Sequence, residues 1–172
     1  MSEKKNAVCY EKQTVYEKAG KEIVNAAYEY AKGYVRFLDA AKTEREAVTE
    51  SVRIAEAAGY RPYTFGDPMK AGDKFYYNNR GKNIFLFKIG TEPINNGIRI
   101  TGAHIDSPRL DLKQVPLYEE RDLCFLKTHY YGGIRKYQWL AMPLALHGVV
   151  VKQNGETVTV TIGEKDDDPV MY

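Results

Sequence analysis

The hydrophobic texture of the chain changes period at Gly59, and nothing else in the sequence constrains its fold as strongly. Before that point Ile23, Ala27, Tyr30, Tyr34, Phe37, Leu38 and Ala41 recur three or four apart. That spacing gathers them into one stripe of a helix, while Lys21, Glu29, Lys32 and Arg36 face water. Such a stripe needs a partner surface. The stretch TERE, Thr43 to Glu46, is a capping-box pattern, in which the threonine accepts from the Glu46 N–H and the glutamate reaches back. A second helix is expected there. Its apolar positions Ala47, Val48, Val52, Ala55 and Ala58 run to Gly59, which closes a helix readily in the left-handed conformation. Both helices read as structural.

Beyond Tyr60 no helical period survives. Pro62, Gly66, Pro68 and Gly72 mark an irregular connection. Phe75 to Tyr77 and Ile84 to Ile89 are β-rich runs around the turn formers Asn78, Asn79 and Gly81, which predicts a hairpin. Ile98, Ile100 and the small residues Thr101 to Ala103 predict a further strand whose end delivers His104. Function concentrates where such strands stop. Leu123 to Tyr131 and Tyr137 to Lys152 read as strands around Gly132–Gly133, and in VVVKQNGETVTVTIG the pair Asn154–Gly155 predicts a type I′ hairpin. Helices followed by many short strands describe α+β organisation, or one α/β unit followed by a β module beginning near Pro108.

Composition narrows the partners. The chain has 172 residues, 44% of them hydrophobic, enough for one sizeable core and, by length, about one domain. A net charge of +2 from 25 basic and 23 acidic residues gives no strong field toward nucleic acid or an anionic membrane. No run approaches the roughly 20 apolar residues of a membrane span, and the N-terminal stretch has no secretory core. Cys9 and Cys124 form no CxxC pair or repeating framework, which fits free thiols in a reducing compartment. A soluble, cytoplasmic protein is expected.

The chemistry centres on ITGAHIDSPRL, residues 100–110. In extended chain His104 and Asp106 face the same side while Ile105 turns toward the core. Neutral imidazole is a good zinc ligand, and a carboxylate that accepts its second N–H fixes the tautomer and raises its basicity. The competing reading is a hydrogen-bonded structural histidine. Elsewhere the blander readings are preferred. Glu119 and Glu120 are expected to be a solvated loop pair after a Pro116 turn, and His129 and His147 satisfied packing residues. Arg109 and Asp111 read as a structural ion pair close enough to buttress the motif. Asp166, Asp167 and Asp168 read as an exposed turn, since three consecutive side chains cannot all face one ion.

Longer stretches carry more information than the pair. KTEREAV, YNNRGKNIFLFKIG, GAHIDSPRLDLKQVPLYEE, LKTHYYGGIRKYQWLAMPLALHGVVV and DDDPV occur in an order and spacing that resemble the M18 family of zinc aminopeptidases, from about Tyr34 to Tyr172. The resemblance implies an α/β class protein. Residues 1–107 would be the N-terminal part of a zinc-exopeptidase domain, with two helices plus strands. Residues 108–172 would be part of an inserted β-rich dimerisation and lid domain. It implies hydrolysis of N-terminal residues from peptides by metal-activated water at a site of two Zn2+ ions. His104 then matches a zinc ligand, and Asp106 the catalytic carboxylate that orients it. Peptides with a free N-terminus are the implied partners, with assembly into dimers and larger oligomers such as a dodecamer. Neither nucleic acid nor membrane is implied.

The family's bridging aspartate, Glu–Glu pair, further aspartate and late histidine have no counterpart in these residues. The chain is therefore read as the N-terminal portion of such an enzyme, inactive and at best weakly zinc-binding by itself, and prone to aggregate through unpaired lid strands. The alternative is a non-catalytic remnant serving only as an assembly module. Interleaved aromatic and basic residues from Tyr60 to Lys82 also resemble a single-stranded nucleic-acid surface, which the near-balanced charge opposes.

Overall fold

Thr43 nucleates the helix that its spacing requires. In the computed structural model, which describes residues 12–172, the Thr43 hydroxyl accepts from the Glu46 N–H at 3.3 Å, and Glu46 accepts from the Thr43 N–H at 2.9 Å. The capping box opens a helix over Glu44–Ala57. Its far end closes as a Schellman motif: Tyr60 N–H donates to Ala55 and Gly59 N–H to Glu56, with Gly59 at φ +82°. Ahead of it lie α1 (Val15–Lys18) and α2 (Lys21–Ala40), so Glu44–Ala57 is α3. The chain divides into two units, the first ending at Asp39 and the second running Ala40–Tyr172. In the first unit α2 forms where the periodicity predicts, and none of its residues is buried. Cys9 lies outside the described residues.

The second unit keeps its core under α3. Strands β1 (Arg61–Pro62), β2 (Lys74–Asn79) and β3 (Asn83–Lys88) make a three-stranded sheet in that order. β1 runs parallel to β2, and β2 antiparallel to β3. The predicted hairpin is thus present. Among the described residues the buried apolar side chains are Ala41, Ala47, Val48, Ala55 and Phe75: small residues of α3 and its approach set against one large ring of β2. Tyr76 donates to Glu56 at 2.7 Å, and the Lys74 ammonium donates to the Ala58 carbonyl at 2.9 Å. These bonds tie sheet and helix at the surface.

The remaining strands form two hairpins, β4 (Arg109–Glu120) with β5 (Leu123–Tyr131) and β6 (Leu146–Val151) with β7 (Thr157–Ile162). The type I′ turn expected at Asn154–Gly155 is not the one that forms there. Arg121 and Asp122 both have positive φ, 54° and 62°, so the two-residue turn with I′ character joins β4 to β5 without any glycine. At the other hairpin only Gly155 has positive φ; Lys152 N–H donates to Glu156 and Gly155 N–H to Lys152. That is a three-residue loop with glycine in the left-handed position rather than a type I′ turn.

Three further expectations are corrected. Residues 97–108 carry no strand: no described strand pairs with Ile98 to Ala103, and a strand exists only where a ladder satisfies its backbone. Residues Lys136–Trp139 make one helical turn, α4, and β6 starts only after Pro143, which has no N–H to give a ladder. Pro116 makes no turn; it sits inside β4, where the register with β5 shifts between Leu112 and Leu117. Glu119 and Glu120 are therefore solvent-exposed strand residues opposite Cys124 and Leu123, solvated as expected but outside any loop.

Candidate metal centre

The segment that follows the three-stranded sheet delivers His104 to solvent without a strand beneath it. The His104 side chain is 82% exposed, and its Nδ1 lies 2.9 Å from Oδ1 of Asp106. The Asp106 backbone oxygen stands equally close. With Nδ1–H donating into this pair of acceptors, Nε2 is left as a lone-pair donor facing outward, which is the state a zinc ligand requires. The i, i+2 geometry expected of extended chain is realised even though no ladder holds it.

The second oxygen of Asp106 is also held. The Tyr131 hydroxyl donates to Oδ2 at 2.7 Å from 25 positions away. Strand pairing explains the reach: Tyr131 is the last residue of β5 and pairs with Arg109, the first of β4, three residues beyond Asp106. Gly132 lets the chain turn there. Its φ is +73°, and a Cβ at that position would stand 3.4 Å from Cα of Pro108, so a side chain would crowd the backbone just after the motif. Hydrogen bonds from Tyr131 and then His104 hold the Asp106 carboxyl below its ordinary range.

Arg109 secures Tyr131 in turn. Its guanidinium lies 4.1 Å from the Tyr131 ring centroid, donates to Asp111 at 2.7 Å and pairs with Glu44 at 3.2 Å. The ion pair expected between Arg109 and Asp111 is present, and it extends to the first residue of α3. Sequence spacing gave no signal for Tyr131 or Glu44, because strand register and helix placement set both contacts.

The other histidines differ from one another. His129 lies on exposed β5, its Nδ1 3.2 Å from the Tyr130 carbonyl; the expected packing role is not met, because no second layer of described residues covers that hairpin. His147 on β6 is nearly enclosed. Its Nδ1 is 2.8 Å from Glu46 and its Nε2 2.8 Å from Glu164, so it joins the α3 capping box to the segment after β7. Burial favours neutral imidazole, yet the two carboxylates outweigh it and raise the His147 pKa above its ordinary 6.5. Burial likewise opposes charge on Glu46, but His147 and Thr43 lower its pKa below 4.5.

These opposite shifts define a window. The raised His147 contributes stability that is complete below pH 6.5 and lost as pH climbs through its folded value. The lowered Glu46 contributes stability that is complete above pH 4.5 and lost on acidification. Urea midpoints followed by circular dichroism are expected to peak between those limits. His147→Gln is expected to flatten the alkaline side, and an unchanged alkaline slope would remove His147 from this role.

Asp168 organises the final turn, its Oδ2 accepting from the N–H groups of Gly163, Glu164 and Lys165 at 2.8, 3.1 and 3.1 Å. Those backbone donors, Lys165 foremost, lower its pKa. The acidic run thus contains a turn, as expected.

A catalytic zinc takes about three protein ligands and a water. Among the described residues no three His, Cys, Asp or Glu side chains converge to hold a metal ion. The His104–Asp106 pair fits one corner of such a site and does not form a whole one. No described helix is long and apolar enough to cross a membrane.

Comparison with known proteins identifies the family. Residues 37–172 match the model of the family described as aminopeptidase I zinc metalloprotease (M18). The chain is 56% identical over 142 residues to the "Probable M18 family aminopeptidase 1" of Clostridium acetobutylicum, covering 80% of this chain and 30% of that protein. It superposes on the crystal structure of aminopeptidase I from Borrelia burgdorferi B31 with a TM-score of 0.84 at 39% identity, covering 92% of this chain and 39% of the other. The Thermotoga maritima M18 aminopeptidase structure gives 0.80 at 42% identity, over 94% and 35%. The chain therefore spans about a third of the length of the relatives it matches.

Proposed function

The chain belongs to the aminopeptidase I zinc metalloprotease family, M18, and from that premise we propose that it supplies the His104 corner of a dinuclear zinc site that removes N-terminal residues from peptides. The observation that carries this reading is the imidazole held at Nδ1 by Asp106 at 2.9 Å, with Nε2 left open to solvent. Zinc, when bound, supplies a Lewis acid and an activated water. Asp106 fixes the imidazole tautomer, and its second oxygen accepts from the Tyr131 hydroxyl. The other ligands and the general base come from the remaining length of the family's chain. A peptide with a free N-terminus is the substrate class, residues 108–172 are the start of the β-rich dimerisation and lid domain, and the working form is a cytoplasmic oligomer built from dimers.

A graft tests this. The chain replaces the matching segment of the Clostridium acetobutylicum relative, and zinc content and hydrolysis of aminoacyl p-nitroanilides are measured beside the 172-residue chain alone. The graft is expected to hold two zinc ions and turn over. The chain alone is expected to show neither stoichiometric zinc nor turnover. A graft that assembles yet stays inactive with zinc would favour the assembly-module reading, and a chain active by itself would overturn the division of ligands.

A further inference from the structure

We infer that Tyr131 is a positioning residue, which sets the imidazole of His104 through the Asp106 carboxylate. The inference rests on the reading of His104 as a ligand held by Asp106 and adds the part that the HxD spacing cannot supply. A carboxylate with one oxygen on an imidazole is free to rotate about its own bond and to swing that oxygen away. Here the second oxygen is tied to the Tyr131 hydroxyl at 2.7 Å, so the plane of the carboxylate is set at both ends.

Tyr131 is itself constrained. Its backbone pairs with Arg109 at the start of the β4–β5 hairpin, and the Arg109 guanidinium rests on its ring at 4.1 Å. Arg109 is in turn anchored by Asp111 and by Glu44 of α3. A paired hairpin and a helix end thus converge on the orientation of one solvent-facing imidazole, which no strand supports directly. Such outer partners commonly shape how a ligand is presented. The series of contacts from Arg109 through Tyr131 and Asp106 ends on His104, whose side chain is 82% exposed.

The test is made on the 172-residue chain without metal, by nitrogen-15 NMR of its imidazoles at about pH 8, where an ordinary histidine is neutral. In the unmodified chain His104 is expected in the Nδ1–H form. Tyr131→Phe removes only the hydroxyl and keeps the ring beneath Arg109. It is expected to lower the ratio of Nδ1–H to Nε2–H at His104 roughly threefold, somewhat less than one whole hydrogen bond would give. Backbone amide spectra should coincide with those of the parent. Asp106→Ala is the second arm, expected to shift the same ratio at least as far. If Asp106→Ala shifts the ratio and Tyr131→Phe does not, Tyr131 loses its positioning role while the His104–Asp106 pair stands. If Tyr131→Phe shifts it and Asp106→Ala does not, the coupling through the carboxylate is refuted. If neither moves it, the Asp106 backbone oxygen, equally close to Nδ1, holds the tautomer, and the coupling through the carboxylate is refuted.

Discussion

Phe75→Ala is expected to destabilise the second unit by about 3–5 kcal/mol and to lower its unfolding midpoint sharply. Phe75 is 0% exposed and lies on β2 between Arg61 of β1 and Phe87 of β3. Its ring meets Tyr63 edge-on at 5.4 Å and carries the Arg61 guanidinium at 4.1 Å. Truncating a buried phenylalanine costs about 3–5 kcal/mol, from lost transfer energy and the cavity left behind. Against a typical total of about 5–15 kcal/mol that is a large fraction. The loss is hard to absorb here, because the other buried apolar residues among those described are Val48 and three alanines. The control is Phe85→Ala two residues before Phe87: its side chain is 50% exposed, so the change is expected to stay near 1 kcal/mol or below. Urea titration followed by circular dichroism separates the two. Equal midpoints for both variants would show that the core lies elsewhere.

In the active graft His104→Ala is expected to lower kcat/KM more than about a hundredfold, with zinc content falling in parallel. The bound comes from its partner: loss of a group that merely orients a metal ligand usually costs about 10–100-fold, and loss of the ligand itself exceeds that. Asp106→Ala should therefore fall inside the 10–100-fold range and retain more zinc than His104→Ala. A hundredfold loss corresponds to about 2.7 kcal/mol of transition-state stabilisation; compared without zinc, the parent graft and His104→Ala are expected to unfold at the same midpoint, since the His104 side chain is exposed. Full activity in His104→Ala would refute the ligand assignment outright.

The legible parts of this protein are those set by neighbours in the chain. The Thr43–Glu46 box, the Gly59 closure, the hairpin of β2 and β3, and the facing of His104 with Asp106 all involve residues a few positions apart. Local sterics and hydrogen bonds decide these. Even there, glycine content misled: a turn with I′ character formed at Arg121–Asp122 without glycine, and Asn154–Gly155 took a longer loop. Tyr137 to Lys152 has strand composition throughout, yet Pro143 confines the ladder to its end.

What the sequence determined by itself was α2, α3, the β2–β3 hairpin, the β7 side of the last hairpin and the residue types of the candidate site, since these follow from side-chain period and from an imidazole two residues from a carboxylate. Tertiary structure alone decided the partners that reach across: Tyr131 on Asp106, Glu44 on Arg109, and Glu46 with Glu164 around His147. The reason is geometric. A contact spanning 17 to 101 residues depends on strand register and helix placement, and those are settled by burial and ladder pairing over the whole unit, which no local pattern encodes.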